Sequence, residues 1–325
     1  MIEGGGRPSP LEAPPTPPAG SRYVPVRTVT GVGALDDLLA RCDFAPAGTD
    51  VTCAVSGGAD SLALLVLAVQ AGCRVTAVHV DHGLRAGSAA EADVVRRAAV
   101  EHGAAFRAER VTVAPGPNLE ARARAARYGA LPADVLTGHT ADDQAETVLL
   151  NLLRGAGLDG LAGMAPGRRP LRRLRRRETR ELCAAVGLAP VADPTNDDPA
   201  FRRNRIRHEL LPLLDAVAER DVVVVIARQA DLARADVALL DELAAALDPT
   251  DARALAAAHE ALARRAVRAW LRSSGPGGPE CHPPDAAATE RVLAVARGEA
   301  VACELPGGWR VARTGGRLRI ERPAR

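Results

Sequence analysis

Val51-Thr52-Cys53-Ala54-Val55, then Ser56-Gly57-Gly58-Ala59-Asp60-Ser61, then Leu62-Ala63-Leu64-Leu65-Val66-Leu67-Ala68 follow one another without a break. The first piece is short, apolar and β-rich, the last is apolar with no turn residue, and the six residues between them are small or polar. That order predicts a buried strand, a tight turn and a buried helix. In the turn, two glycines let the backbone approach a phosphate closely, and the hydroxyls of Ser56 and Ser61 can donate to its oxygens. The N–H groups at the helix start, from Ala59 on, add a partial positive charge. Asp60 repels a phosphate unless a divalent cation bridges the two, which makes it the candidate ligand for Mg2+. A P-loop would end in Gly-Lys-Ser/Thr, and this chain contains no lysine. Kinase and GTPase readings of that kind therefore fail. An ordinary capping turn accounts for one Ser or one Gly of the set and not for all of it.

Outward from this stretch the same alternation repeats. Arg74–Val80, Phe106–Val113 and Asp134–Gly138 read as strands, and residues 88–102, 119–131 and 141–154 read as helices. Strands alternating with helices of this length imply an α/β fold, a doubly wound parallel sheet. Ser88 with Glu91 and Thr140 with Asp143 have the spacing of helix caps, while Gly72, Gly103 and Gly187 stand where helices should stop. Ligands bind such sheets at the carboxyl ends of the strands. Polar residues appear abruptly there: His79-Val80-Asp81-His82-Gly83-Leu84-Arg85, and Gly138-His139-Thr140-Ala141-Asp142-Asp143-Gln144-Ala145-Glu146. His79 fits two readings, a ligand contact or a buried, hydrogen-bonded imidazole. In the helix after Gly138, Ala145, Val148, Leu149, Leu152 and Leu153 form an apolar stripe, and Asp143 and Glu146 project off it. An acid in the first turn is favourable to the helix in any case, yet capping does not account for three carboxylates beside a histidine.

The chain has 325 residues, 47% of them hydrophobic and only 2% aromatic. Its length suits two domains with ordinary cores. With few rings to stack on bases, contacts to a nucleic acid fall to arginine. All 42 basic residues are Arg, set against 40 acidic ones, for a net charge of +2. They cluster at Arg168, Arg169, Arg172, Arg173, Arg175, Arg176, Arg177 and Arg180, and again at Arg202, Arg203, Arg205 and Arg207. Such clusters read either as a footprint for a polyanion or as solvated surface. Arg124 and Arg127 lie one turn apart on a predicted helix, able to contact phosphates. The six cysteines are scattered and form no C-x-x-C pair, so they read as small buried hydrophobes in a reducing compartment. With no leader and no apolar run long enough for a membrane helix, a cytoplasmic protein that makes no membrane contact is expected. Residues 1–28, with seven prolines, read as a disordered tail. Residues 29–215 form the expected nucleotide-binding domain. Residues 216–325 read as a helical linker and a small α+β C-terminal domain.

Ser56–Ser61 resembles the pyrophosphate loop (PP-loop) of the ATP-pyrophosphatase superfamily, and the longer strings narrow the choice. His79–Arg85, Gly138–Met164, Asp193-Pro194-Thr195-Asn196 and Arg203-Asn204-Arg205-Ile206-Arg207-His208-Glu209-Leu210-Leu211-Pro212 are similar to the lysidine synthase family. Thr140 stands where that family often has His, and Leu171–Glu178 is more basic than the family's apolar turn. The resemblance runs from about Val51 to the end, including a small tRNA-contacting module, without the third domain of longer members. It implies a Rossmann-like PP-loop domain and an ATP-dependent carbon–nitrogen ligase. The implied reaction adenylates the wobble cytidine, C34, of a tRNA(Ile) with a CAU anticodon, then couples the ε-amine of free L-lysine to C2. The implied ATP-positioning set is Ser56, Gly57, Gly58, Ala59, Asp60, Ser61, His79, Gly138 and His139, with Mg2+ at Asp60. Asp60, Asp143, Glu146 and Arg205 are the implied catalytic set, and Arg124, Arg127, Arg203, Asn204 and Arg205 the tRNA contacts. A homodimer is compatible with it. Two other readings remain: a PP-loop thiolase, which calls for a cysteine pair, and a non-catalytic ATP-dependent RNA-binding protein.

Overall fold

The computed structural model describes residues 32–81, 88–112, 122, 125–126, 128–192, 194–274 and 285–322. The expected tail, the His82–Arg85 string, Arg124, Arg127 and Asp193 lie outside them. The chain forms two compact units, Met1–Gln144 with Ala165–His208, and Ala145–Met164 with Glu209–Arg325.

In the first unit a short helix, α1 (Val32–Ala40), precedes a parallel four-stranded sheet. Its strands are β1 (Asp50–Ala54), β2 (Arg74–Asp81), β3 (Ala105–Arg110) and β4 (Leu136–Thr137), in the order β3-β2-β1-β4. Val51 pairs with Val75 and Cys53 with Ala77 on one side of β1, and Cys53 with Leu136 on the other. β1 is therefore a central strand, paired on both sides, and Cys53, which takes part in both pairings, is fully buried. The helix that follows it, α2 (Ala59–Gln70), is apolar on every side, and Leu62 to Ala68 are all at most 1% exposed. Only a helix packed all round can bury such a sequence. Cys53, Val55, Val75, Ala77 and residues of α3 (Ser88–Glu101) complete the core with Leu171, Leu174, Leu182 and Cys183. The last two belong to α6 (Arg176–Ala185), which packs on α2. Gly72, Gly103 and Gly187 stop their helices as expected, with φ of +82°, +74° and +75°.

Chain order decides where a ligand can enter. From β1 the chain winds outward through β2 to β3, then returns past β1 to form β4. The switch point thus lies between β1 and β4, and the loops leaving those two strands flank it. The loop after β1 is Ser56–Gly58. The loop after β4 leads through Gly138–Thr140 into α4 (Ala141–Leu153).

The second unit takes the end of α4 and α5 (Gly157–Leu161) together with the C-terminal elements, so the expected boundary near residue 215 is not the only one. Arg234, on α9 (Val222–Ala245), donates to the carbonyls of Ala162 and Met164. Arg265 and Arg268, on α11 (Glu260–Ser274), reach Asp159 of α5. These bonds tie residues 157–164 to the helices of this unit. Along α4 the apolar stripe also ends sooner than the periodicity suggests. Ala145, Val148 and Leu149 are buried, but Leu152 and Leu153 are 58% and 71% exposed. Asp251 caps α10 (Ala252–Ala257) and Asp285 caps α12 (Ala286–Arg297). An antiparallel sheet, β5 (Ala302–Leu305), β6 (Trp309–Thr314) and β7 (Arg317–Glu321), closes over Val292, Leu293, Val311 and Leu318. Gly315 and Gly316, both at positive φ, make the tight turn between β6 and β7. No helix among the described residues is long and apolar enough to cross a membrane.

Candidate active site

The glycine loop is held open by its own residues. Gly57 has φ +92°, and a Cβ there would stand 3.2 Å from Cγ2 of Val191, whose N–H donates to the Gly57 carbonyl. A side chain is thus opposed both by backbone strain and by space. The Ser61 hydroxyl donates to the Gly58 carbonyl at 2.8 Å and accepts from the Ser56 N–H at 3.1 Å. Since its one proton goes to Gly58, Ser56 is the donor across the 3.3 Å contact between the two hydroxyls. Ser61 therefore shapes the loop, while exposed Ser56 is the hydroxyl able to turn toward an anion. By helix geometry the first N–H groups of α2 have no carbonyl of their own helix to donate to, and they present a partial positive charge at this end.

The two histidines have different duties. His79 is 2% exposed, and its Nδ1 donates to the Val55 carbonyl, 3.0 Å away, on the residue just before the loop. Of the two readings left open by the sequence, the buried, hydrogen-bonded one describes it: it anchors the strand end behind the loop, and that nitrogen is already engaged. His139 is half-buried in the other loop. Its Nδ1 lies 2.8 Å from the Thr137 hydroxyl, whose proton goes to the Arg168 carbonyl, so Nδ1 is the donor. Gly138 lets the two loops meet. A Cβ on it would fall on the carbonyl oxygen of Asp60, 2.7 Å from the carbonyl carbon and 3.0 Å from the Ser61 nitrogen. Both obstacles are backbone, so no rotamer relieves the clash.

At this junction three carboxylates meet three guanidinium groups. Asp142 accepts Arg175 Nε and Nη2, both at 3.0 Å, and the Arg176 N–H at 2.8 Å. Asp143 accepts Arg176 Nη2 at 2.9 Å, Arg203 Nη2 at 3.3 Å, and the N–H and hydroxyl of Thr140 at 2.9 and 3.0 Å. Asp60 accepts the hydroxyl of Thr179, which is fully buried, and lies 3.4 Å from Arg176 Nε. Burial alone would raise the Asp143 carboxyl, but Arg176, Arg203 and His139 outweigh it and hold it at about 2. Burial also opposes ionisation of Asp142, and Arg175 again wins. Asp60 goes the other way: burial and the neighbouring Asp143 charge raise it despite Thr179 and Arg176. Of the three carboxyls it is the one shifted upward, and burial is the first cause.

Of the residues singled out in the sequence, the fold brings Ser56–Ser61, Gly138, His139, Asp143 and Arg203 together. Glu146 lies one turn beyond Asp143 on α4 and is fully buried, although the helical projection set both off the apolar side. Arg205 is exposed on α7 (Arg202–Arg205). Two residues from Arg203, it points away from the side that Arg203 presents to Asp143. Asn204 is 7% exposed, and its amide donates to the carbonyls of Thr195 and Asp198. The amide nitrogen thereby ties a turn together. Sequence reading missed Arg175, Arg176 and Thr179, which it left within a basic run read as footprint or solvent face. The available signal was Leu171 and Leu174, three apart and both 0% exposed, followed by Glu178, which accepts the Arg175 N–H at 2.7 Å and starts α6.

Comparison with known proteins agrees with this architecture. A family model described as "PP-loop domain" matches residues 35–214, and one described as "TilS substrate binding domain" matches residues 251–319. The curated tRNA(Ile)-lysidine synthase of Nocardia farcinica is 46% identical over 85% of this chain and 92% of its own length. Those of Salinispora arenicola and Thermobifida fusca are 43% and 40% identical, over 86% and 84% of this chain and 92% of each relative. With a PP-loop match over more than half its length and relatives this similar along nearly all of theirs, the chain belongs to the tRNA(Ile)-lysidine synthase family of PP-loop, ATP-using enzymes.

Proposed function

We propose that this protein adenylates C34 of a tRNA(Ile) with a CAU anticodon and joins the ε-amine of free L-lysine to C2 of that base. The C2 oxygen attacks the α-phosphate of ATP and pyrophosphate departs. The amine nitrogen then attacks C2, AMP leaves with the oxygen, and the amine gives up a proton. Activation by ATP is needed because the oxygen is a poor leaving group until it becomes a phosphate ester. The carrying observation is the close approach of Gly138, just before α4, to the backbone of Asp60 and Ser61 in the first turn of α2, with Arg176 bridging Asp60 and Asp143. The loop's N–H groups and the Ser56 hydroxyl suit a leaving pyrophosphate, and the guanidinium groups of Arg176 and Arg203 suit charge developing on phosphate. The carboxylates of α4, Asp143 and Glu146, suit the lysine ammonium, whose proton must be lost before it can attack. Arg205, exposed beside Arg203, suits a tRNA phosphate.

Asp60 fits Mg2+, which takes hard oxygen donors and binds through one or two carboxylates with phosphates supplying the rest. Among the described residues no group of three or more His, Cys, Asp or Glu side chains is placed to hold a metal. When bound, the ion would neutralise the departing pyrophosphate.

The thiolase reading fits less well. Burial, above all, raises the thiols of Cys42, Cys53 and Cys183 to about 12, and those of Cys73 and Cys303 also upward. Such thiols stay protonated at neutral pH and are poor nucleophiles and poor cluster ligands. The deciding experiment measures pyrophosphate release and incorporation of labelled lysine with purified tRNAs. Incorporation confined to the CAU-anticodon tRNA(Ile) is expected. Transfer of sulfur or of another amino acid, or ATP and tRNA binding without pyrophosphate release, would refute the proposal.

A further inference from the structure

Arg176 touches both acids that flank the loop. Its Nη2 is 2.9 Å from Asp143, and its Nε is 3.4 Å from Asp60, long for a hydrogen bond. Those acids come from different connections, Asp60 from β1 to α2 and Asp143 from β4 to α4, and one guanidinium at the N-terminus of α6 spans them. The charges here already match, with Asp60, Asp142 and Asp143 facing Arg175, Arg176 and Arg203. Asp143 accepts from four donors, whereas Asp60 accepts the Thr179 hydroxyl and holds Arg176 at the longer distance. A cation arriving with the phosphates therefore competes with Arg176 for Asp60. The phosphates, however, offer the guanidinium a new anionic partner.

We infer that Arg176 is a resident counter-ion of the Asp60–Asp143 pair. A divalent cation takes its place at Asp60, and the guanidinium, still held by Asp143, turns to the phosphate. Arg176 is on this account a positioning residue in the empty site and a phosphate ligand in the filled one. The inference rests on Asp60 as the metal-facing carboxylate of the proposed function. Its test needs neither tRNA nor lysine, so it can fail separately from the lysidine reading.

The test uses the full chain with Mn2+ alone, followed by electron paramagnetic resonance, and with inorganic pyrophosphate plus Mg2+, followed by calorimetry. Arg176→Gln should bind Mn2+ about tenfold more tightly than the parent, because two close carboxylates lose their cation. The same variant should bind pyrophosphate about tenfold more weakly, because a charge-assisted donor is gone. A purely structural arginine would weaken both or neither. Adding Asp60→Asn should abolish the gain in Mn2+ affinity, and a gain that persists overturns the assignment to Asp60. Mn2+ affinity that is unchanged or lower in Arg176→Gln overturns the counter-ion role, and unchanged pyrophosphate affinity overturns the turn toward phosphate. Arg176→Lys, which keeps the charge but cannot span both acids, should fall between the two in Mn2+ affinity. If circular dichroism finds neither variant folded, Arg176 is a strut and the inference fails.

Discussion

Ser56–Ser61 and Leu171–Thr179 meet at one site and shape it by opposite means. The loop contributes backbone. Its two glycines, its left-handed turn at Gly57 and its tied Ser61 hydroxyl set the path of the main chain into α2. The basic run contributes side chains: Leu171 and Leu174 sink into the core, and that anchorage carries Arg175 and Arg176 inward, at 14% and 13% side-chain exposure. In the same run Arg173 and Arg177 stay at the surface. The difference teaches that residue type alone announces a phosphate loop, because glycine and hydroxyl act locally. An arginine's duty depends on which way the neighbouring leucines turn it.

The largest expected effect tests the loop. Gly138→Ala sets a methyl group against the Asp60 carbonyl and must shift backbone, so pyrophosphate release should fall by about 100-fold or more, since displacements near 1 Å cost that much. An activity within threefold of the parent would mean that the close approach is not needed. Next, Leu174→Ala tests whether the basic run is core. Unfolding in urea should show a loss of about 3 kcal/mol, and a loss under about 0.5 kcal/mol would return the run to the surface. Arg175→Ala removes both side-chain donors to a mostly buried carboxylate and should cost about 2 kcal/mol by the same assay. Arg173→Ala, as the exposed control, should stay within about 0.5 kcal/mol. Smaller than the Arg175 effect is acid sensitivity at the head of α6. Burial opposes ionisation of Glu178, but Arg41, bound at 3.2 Å through Nη1 and also through Nη2, holds its carboxyl below the ordinary glutamate range. A depressed carboxyl stabilises the fold above its unfolded pKa, and this contribution fades as pH falls through the folded value. Because the pair is partly solvated, a few tenths to about 1 kcal/mol is expected. Glu178→Gln should flatten that part of the stability–pH curve, and an unchanged slope below about pH 4.5 would assign the acid limb elsewhere.

Much of the fold is legible because its periodicities are local. The strand–loop–helix order at Val51–Ala68 and its repeats lead to a parallel sheet, and the C-terminal runs at Ala302–Glu321 lead to a small antiparallel one. Where prediction and structure part, contacts distant in sequence are the cause. Leu152 and Leu153 continue a perfect stripe, yet nothing covers them in the unit to which they belong. The Asn204 amide meets the carbonyls of Thr195 and Asp198, contacts that the local sequence does not announce.

Residue order by itself determined the kind of loop, the sheet it hangs from and the family, because glycine pattern, hydroxyl spacing and hydrophobic period each act over a few neighbours. Only the tertiary structure decided which charges meet. Asp60 and Arg176 stand 116 positions apart, and a carboxylate's partner, its burial and hence its protonation are properties of what packs against it in space. No stretch of chain carries that information alone.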